Sequence, residues 1–162
     1  MKNRDIIIIG IQPWDINIGS NCKNIALEFS KENRVLYVNH PLDRWTYLRK
    51  SNNPINKGRA NALKESKISL TKINENLFVF NPKVVFEPVN SIPNKPIFNF
   101  FNKLNAKRLA NEINKAIKHL EFENYILFND SQMFVGLHMK SLLKPEFYFY
   151  YIRDNLVESI HS

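Results

Sequence analysis

The chain has 162 residues, 44% hydrophobic and 23% charged, with a formal net charge of +8 and one cysteine. One domain is the default at that length, with room for a sizeable core. The lone Cys22 excludes an internal disulfide and a cysteine-cluster metal site, and no stretch approaches the ~18 apolar residues of a membrane-spanning helix.

The N-terminal MKNRDIIIIGIQPWD has a basic tip and an apolar run too short for a secretory signal core, so a cytoplasmic location is expected. Asp5–Ile11 is continuously apolar, which predicts a strand buried on both faces. Ser20 is suited to cap a helix in which Cys22, Ile25, Ala26 and Phe29 share one face and which ends near Asn33. RVLYVN (34–39) reads as a second buried strand, making 5–39 a β-α-β unit with parallel strands and a right-handed crossover. Residues 40–67 form a long basic excursion, with Pro41, Pro54 and Gly58 and a helical piece around Arg44–Lys50. Two short strands follow within 68–82, the second being Leu77–Asn81, and Pro82, Pro88, Pro93 and Pro96 predict an extended loop.

A helix is predicted over Phe98–Leu120, its inner face marked by Leu109, Ile113, Ala116, Ile117 and Leu120 and its outer face by lysines and Arg108. YILFND (125–130) is a strand, Ser131–Leu143 a helix and 146–154 a final strand. The alternation predicts an α/β fold with a mostly parallel sheet and helices on both faces. The carboxyl ends of the strands then share one edge, where ligands bind. That edge gathers Gln12–Ser20, Asn39–Asp43, Asn81, Asn129–Ser131 and Arg153–Asn155.

A dinucleotide loop needs closely spaced glycines, but Gly10 and Gly19 stand far apart and the second strand ends in Asn39-His40 rather than an acidic residue. No phosphate-binding P-loop motif is present either. Gly19-Ser20, before a helix, is a plain turn or a receiver of an anion or a hydroxyl-rich ligand. Trp14 either stacks on a sugar ring or caps the sheet edge. Asp130 is an N-cap or a cleft residue, and Arg153-Asp154 an ion pair or a cleft lining. His40 follows the second strand at the same edge, whereas His119 and His138 fall on helices. No His, Glu and Asp set has metal-ligand spacing, and no residue stands out as a catalytic base. Between His40 and Lys67 seven bases face only Asp43 and Glu65. That bias reflects either an Asn-, Lys- and Ile-rich composition or an anionic partner.

The stretch DIIIIGIQPWDINIGSNCKNIALEFSKENRVLYVNHPLDRW resembles the start of a bacterial GT-B glycosyltransferase of the family-4-like or family-1-like group. Near the end, FYFYYIRDNLVE resembles the strand, aromatic and Asp segment that leads towards the second domain of such enzymes. The resemblance implies a Rossmann-like three-layer sandwich, one of two facing domains. The N-terminal domain binds a glycan or lipid-linked acceptor for cell-surface polysaccharide synthesis. The C-terminal domain binds the nucleotide-sugar donor, often through Glu-x7-Glu. This chain has no Glu pair at that spacing and runs out in NLVESIHS, the start of a further helix. Residues 1–162 are therefore expected to form a single N-terminal domain, with the C-terminal donor domain absent, no cofactor or metal of its own, and no transferase activity alone. The expected acceptor cleft comprises Trp14, Asp15, Gly19, Ser20, Asn21, His40, Asn129, Asp130, Arg153 and Asp154. Segment 40–67 and the basic face of helix 98–120 would dock on an anionic inner-membrane face. The competing class is a stand-alone basic α/β module for a protein partner or nucleic acid; the latter is the weaker partner, because no recognised nucleic-acid motif is present.

Overall fold

The computed structural model describes residues 2–15, 21–49 and 53–152, with only the backbone at Ile55. Among these the sheet has six strands in the order β4-β5-β2-β1-β7-β8. The strands are β1 (Asp5–Gly10), β2 (Arg34–Val38), β4 (Leu70–Asn74), β5 (Leu77–Phe80), β7 (Ile126–Asp130) and β8 (Phe147–Tyr151). The central strand β1 is parallel to β2 on one side and to β7 on the other, with Ile8 opposite Tyr37 and Phe128. Strands β5 and β8 extend the parallel set, and only β4 runs antiparallel, against β5. The protein is thus α/β with a mostly parallel sheet. Its five parallel strands follow the doubly wound order, with the reversal of winding between β1 and β7.

Helices cover both faces because alternate residues of each strand point to opposite sides. Ile7, Ile9, Leu36, Val38 and Leu127 pack under α4 (Lys95–Leu120) and α5 (Gly136–Leu143). Ile6, Ile8, Val35, Tyr37 and Ile126 pack with Cys22 and Ala26 of α1 (Asn21–Phe29). All six residues of β1 are buried, as a continuously apolar central strand requires. Each buried isoleucine contributes about 1.5–3 kcal/mol relative to an exposed one. Gly10 ends β1 where space is short: a Cβ there would stand 3.1 Å from Cys22 Sγ and 3.5 Å from Asp130 Cβ.

Local polar chemistry sets several boundaries that hydrophobic period alone misplaces. Helix α1 stops at Phe29, short of Asn33, because Asn33 Nδ2 donates to the Phe29 carbonyl and the Ser30 hydroxyl to that of Leu27. Helix α4 starts at Lys95 rather than Phe98, since Asn94 Oδ1 accepts from the Ile97 amide and Pro96 suits the first turn. Helix α5 starts at Gly136, not Ser131, because Asn129 takes the Gln132 amide and carbonyl into a turn and Ser131 has φ 57°. The basic excursion holds two helices, α2 (Arg44–Leu48) and α3 (Pro54–Ala62). The proline-rich loop contributes a short strand, β6 (Val85–Phe86), which pairs in parallel with β3 (Leu42–Asp43).

At the amino-terminal edge, Arg34 grips Asp5 through two hydrogen bonds of 2.7 and 2.8 Å, and Asp5 Oδ2 also accepts from the Glu123 amide. The sheet's outermost strands are dissimilar. Residues 71–74 of β4 are exposed and comprise Thr71, Lys72, Ile73 and Asn74, whereas β8 leaves Phe147, Phe149, Tyr150 and Tyr151 between 39% and 51% exposed. Among the described residues no helix is long and apolar enough to cross a membrane.

Candidate functional site

The carboxyl edge is knit together by buried amides. Asn39, just past β2, accepts from the Trp14 amide at 2.8 Å and donates to Asn81 Oδ1, just past β5, at 2.8 Å. The Tyr37 hydroxyl donates to the Gln12 carbonyl. Beside this edge lies a cavity of about 470 Å³, within the range of ~300–1,000 Å³ usual for small-molecule sites. Its walls come from the loops after β2 and β7, from α2, α3 and α4, and from the segment after β6.

His40, Asp43, Arg59, Glu87, Asn102 and Gln132 carry its polar character. Gln132 Nε2 donates to His40 Nδ1 at 2.9 Å, which leaves the proton of the neutral imidazole on Nε2. Burial, reinforced by the Arg59 charge and opposed by Asp43, lowers the His40 pKa to about 4. Arg59 reaches from α3 to donate through Nη1 to the His40 carbonyl at 2.8 Å. Burial lowers its pKa, with Asp15 and Tyr37 acting in the other direction. Asp43 caps α2 by accepting from the Thr46 amide and hydroxyl. Its burial works against the charged form, but these hydrogen bonds prevail and hold the carboxyl below its ordinary value. Glu87 is clasped by Arg44, at 2.8 Å through Nε and also through Nη2, and by Arg108 at 3.0 Å. The Arg44 bond is the chief cause of its fall to about 2, aided by Arg108 against burial.

The residues expected in the cleft separate. His40 lines the cavity. Trp14 does not: it is 8% exposed, stands edge-on to Tyr37 at 5.2 Å and carries Lys23 over its ring. Its apolar area is spent on the core, which leaves no open face for a sugar ring. Asn129 and Asp130 are fully buried and likewise lie outside the cavity lining. Asn129 holds the turn at Gln132 and donates to the Tyr148 hydroxyl, and Asp130 packs beside Gly10 rather than capping α5. Asp15 and Asn21 are exposed, Asp15 in the loop after β1 and Asn21 at the first turn of α1. Gly19, Ser20, Arg153 and Asp154 lie outside the described residues.

Arg59, Glu87, Asn102, Asn105 and Gln132 were not among the expected cleft residues. One signal was available for two of them: Asn102 and Asn105 sit on the stripe that continues through Leu109 and Ile113, where amides interrupt an apolar face. A larger space of about 580 Å³ lies at the opposite, amino-terminal edge around Asp5 and Arg34, but their charges already satisfy one another. Among the described residues no group of three or more His, Cys, Asp or Glu side chains is arranged to hold a metal ion. No family model, curated protein or solved structure matches the chain.

Proposed function

We propose that this chain is the acceptor-side domain of a glycosyltransferase, binding a glycan or lipid-linked acceptor in the cavity at the carboxyl edge of its sheet. The observation that carries this reading is the wall of that cavity. Asn56, Asn90, Ser91, Asn105, Thr46 and Gln132 offer neutral donors and acceptors suited to hydroxyl groups, with Phe86 and Phe134 as apolar surface. The doubly wound strand order supports it, because ligands of such sheets sit outside the carboxyl ends. Donor binding and transfer belong to a second domain, and attack of the acceptor hydroxyl on the anomeric carbon would take place over this edge.

The test uses residues 1–162 and soluble mono- and oligosaccharides. The side-chain amide signals of Gln132, Asn102 and Asn105 are followed by NMR, and saturable shifts confined to these groups are expected. Absence of shifts with every sugar, together with salt-sensitive binding to unrelated DNA or RNA, would replace this reading with the basic binding module.

The basic excursion fits an acceptor held at a membrane. Trp45 and Leu48 are 56% and 58% exposed on α2, beside Arg44 and Arg49, and Leu48 shares a surface pocket with Lys57 of α3 and with Lys64. An apolar tip ringed by bases suits an anionic interface. Vesicles with and without anionic lipid test it, and equal binding to both would remove the membrane from the scheme.

A further inference from the structure

Three polar side-chain atoms among the described residues are buried without a hydrogen-bond partner: Arg59 Nε, Arg59 Nη2 and Asn102 Oδ1. Both residues line the cavity of about 470 Å³. An unsatisfied buried polar atom is costly, and such atoms are rare enough that each calls for an explanation. Here they are of complementary kinds: two donors on a cation and one acceptor on a neutral amide.

The surroundings do not supply what is missing. No ion pair reaches Arg59 among the described residues: the Asp43 carboxylate is engaged by Thr46, and that of Glu87 by Arg44 and Arg108. Its remaining nitrogen, Nη1, is committed to the His40 carbonyl. Asp15 acts on Arg59 electrostatically, but it makes no ion pair with it and leaves Nε and Nη2 without a hydrogen-bond partner. A separate space of about 10 Å³ that Arg59 also lines is near the size of one water, which would accept a hydrogen bond but would not balance the charge. On the other side, Asn102 Nδ2 donates to the Phe134 carbonyl at 3.1 Å, which fixes the amide and leaves Oδ1 needing a donor.

We infer that the cavity takes a hydroxyl-bearing oxyanion, a uronic acid or a sugar phosphate, with the anionic group on Arg59 and a hydroxyl donating to Asn102. A guanidinium offers two parallel N–H groups to a carboxylate or phosphate, and such charge-assisted pairs are the strong ones. His40 is neutral above its lowered pKa and adds a donor without a further charge. The inference rests on the acceptor-side reading and narrows it to acidic acceptors.

The experiment measures binding of glucose, glucuronate, glucose 6-phosphate and inorganic phosphate to residues 1–162 by calorimetry at low salt. Glucuronate and glucose 6-phosphate are expected to bind about 10- to 100-fold more tightly than glucose, the span of a hydrogen-bonded charge. Arg59→Gln should abolish that difference and Arg59→Lys should keep part of it. Ser91→Asp, on the exposed rim, should weaken the anionic sugars by a larger factor than glucose; it serves also if Arg59→Gln fails to fold. The two anionic sugars separate a carboxylate site from a phosphate site. Glucose binding as tightly as glucuronate and glucose 6-phosphate would overturn the anion inference and leave the sugar cleft standing. Inorganic phosphate binding as tightly as glucose 6-phosphate, with no binding of glucose, would overturn both the hydroxyl contact to Asn102 and the sugar reading. Anion binding indifferent to Arg59→Gln and Ser91→Asp would also overturn it, and no binding of any probe overturns both proposals.

Discussion

Gln132 donates to His40 across 2.9 Å and so ties the loop after β7 to the loop after β2. The contact spans strands separated by β1, at the place where the winding of the sheet reverses. It fixes the imidazole tautomer and turns a pair of loop residues into one wall of the cavity.

This pairing makes stability depend on pH in a defined window. The folded pKa of His40 is lowered from 6.5 to about 4, so the unfolded chain binds a proton that the folded chain refuses. The contribution is whole above about 6.5 and is lost as pH falls towards about 4, amounting to at most about 3 kcal/mol. Urea midpoints of the wild type should fall across this window more steeply than those of His40→Asn. An NMR titration of the imidazole with its midpoint near 6.5 would contradict the expectation.

Glu87 produces a separate acid step at lower pH. Its folded pKa is lowered from 4.5 to about 2, so its stabilising effect is present above 4.5 and disappears as pH drops towards 2. Glu87→Gln should remove this lower step from the stability profile and leave the His40 step in place. A profile for the variant that superimposes on the wild type throughout would show that the Arg44–Glu87–Arg108 cluster carries no net stability.

Gly136 and Asn129 should behave as a coupled pair. A Cβ on Gly136 would overlap the Asn129 amide, which supports the turn before α5. Gly136→Ala should therefore cost about 2–3 kcal/mol, from overpacking and lost hydrogen bonds. In an Asn129→Ala background the same change should cost at least about 1 kcal/mol less. Chemical denaturation of the four proteins measures the coupling, and simple additivity would contradict the steric account.

The two tryptophans are in opposite environments. Trp14 is 8% exposed and Trp45 is 56% exposed. Trp14→Ala should cost about 3–5 kcal/mol, whereas Trp45→Ala should stay within about 0.5 kcal/mol. In a Trp45→Phe protein the remaining fluorescence should be blue-shifted and resist acrylamide. Ready quenching there would mean that Trp14 is open to solvent after all.

Much of the sheet was legible because its signals are local. A continuously apolar run such as Ile6–Ile9 has few fates besides a doubly buried strand, and the β-α-β order then dictates parallel pairing. The helix boundaries were less legible because side-chain amides decide them: Asn33, Asn94 and Asn129 each redirect a backbone group that hydrophobic period ignores. The site was the least legible part. Trp14, conspicuous in a polar stretch, is absorbed by its edge-on contact with Tyr37. Arg59 looked like one base among seven, and only tertiary structure brings it to the His40 carbonyl, 19 residues away. Asn102 and Asn105 held the recoverable clue, since an amide on an apolar stripe must find a buried partner.

The unlike margins of the sheet limit how this protein can associate with itself. The β8 margin is adhesive, with aromatic side chains and, among the described residues, no strand joined to its outer row of amides and carbonyls. The β4 margin is more polar: it exposes Thr71, Lys72 and Asn74 beside Ile73, and an edge lysine discourages strand addition. Two copies meeting through β8 would use up both adhesive margins and present only β4 outward. Strand addition at β8 would therefore close after two chains, leaving outward a margin whose lysine discourages a further strand.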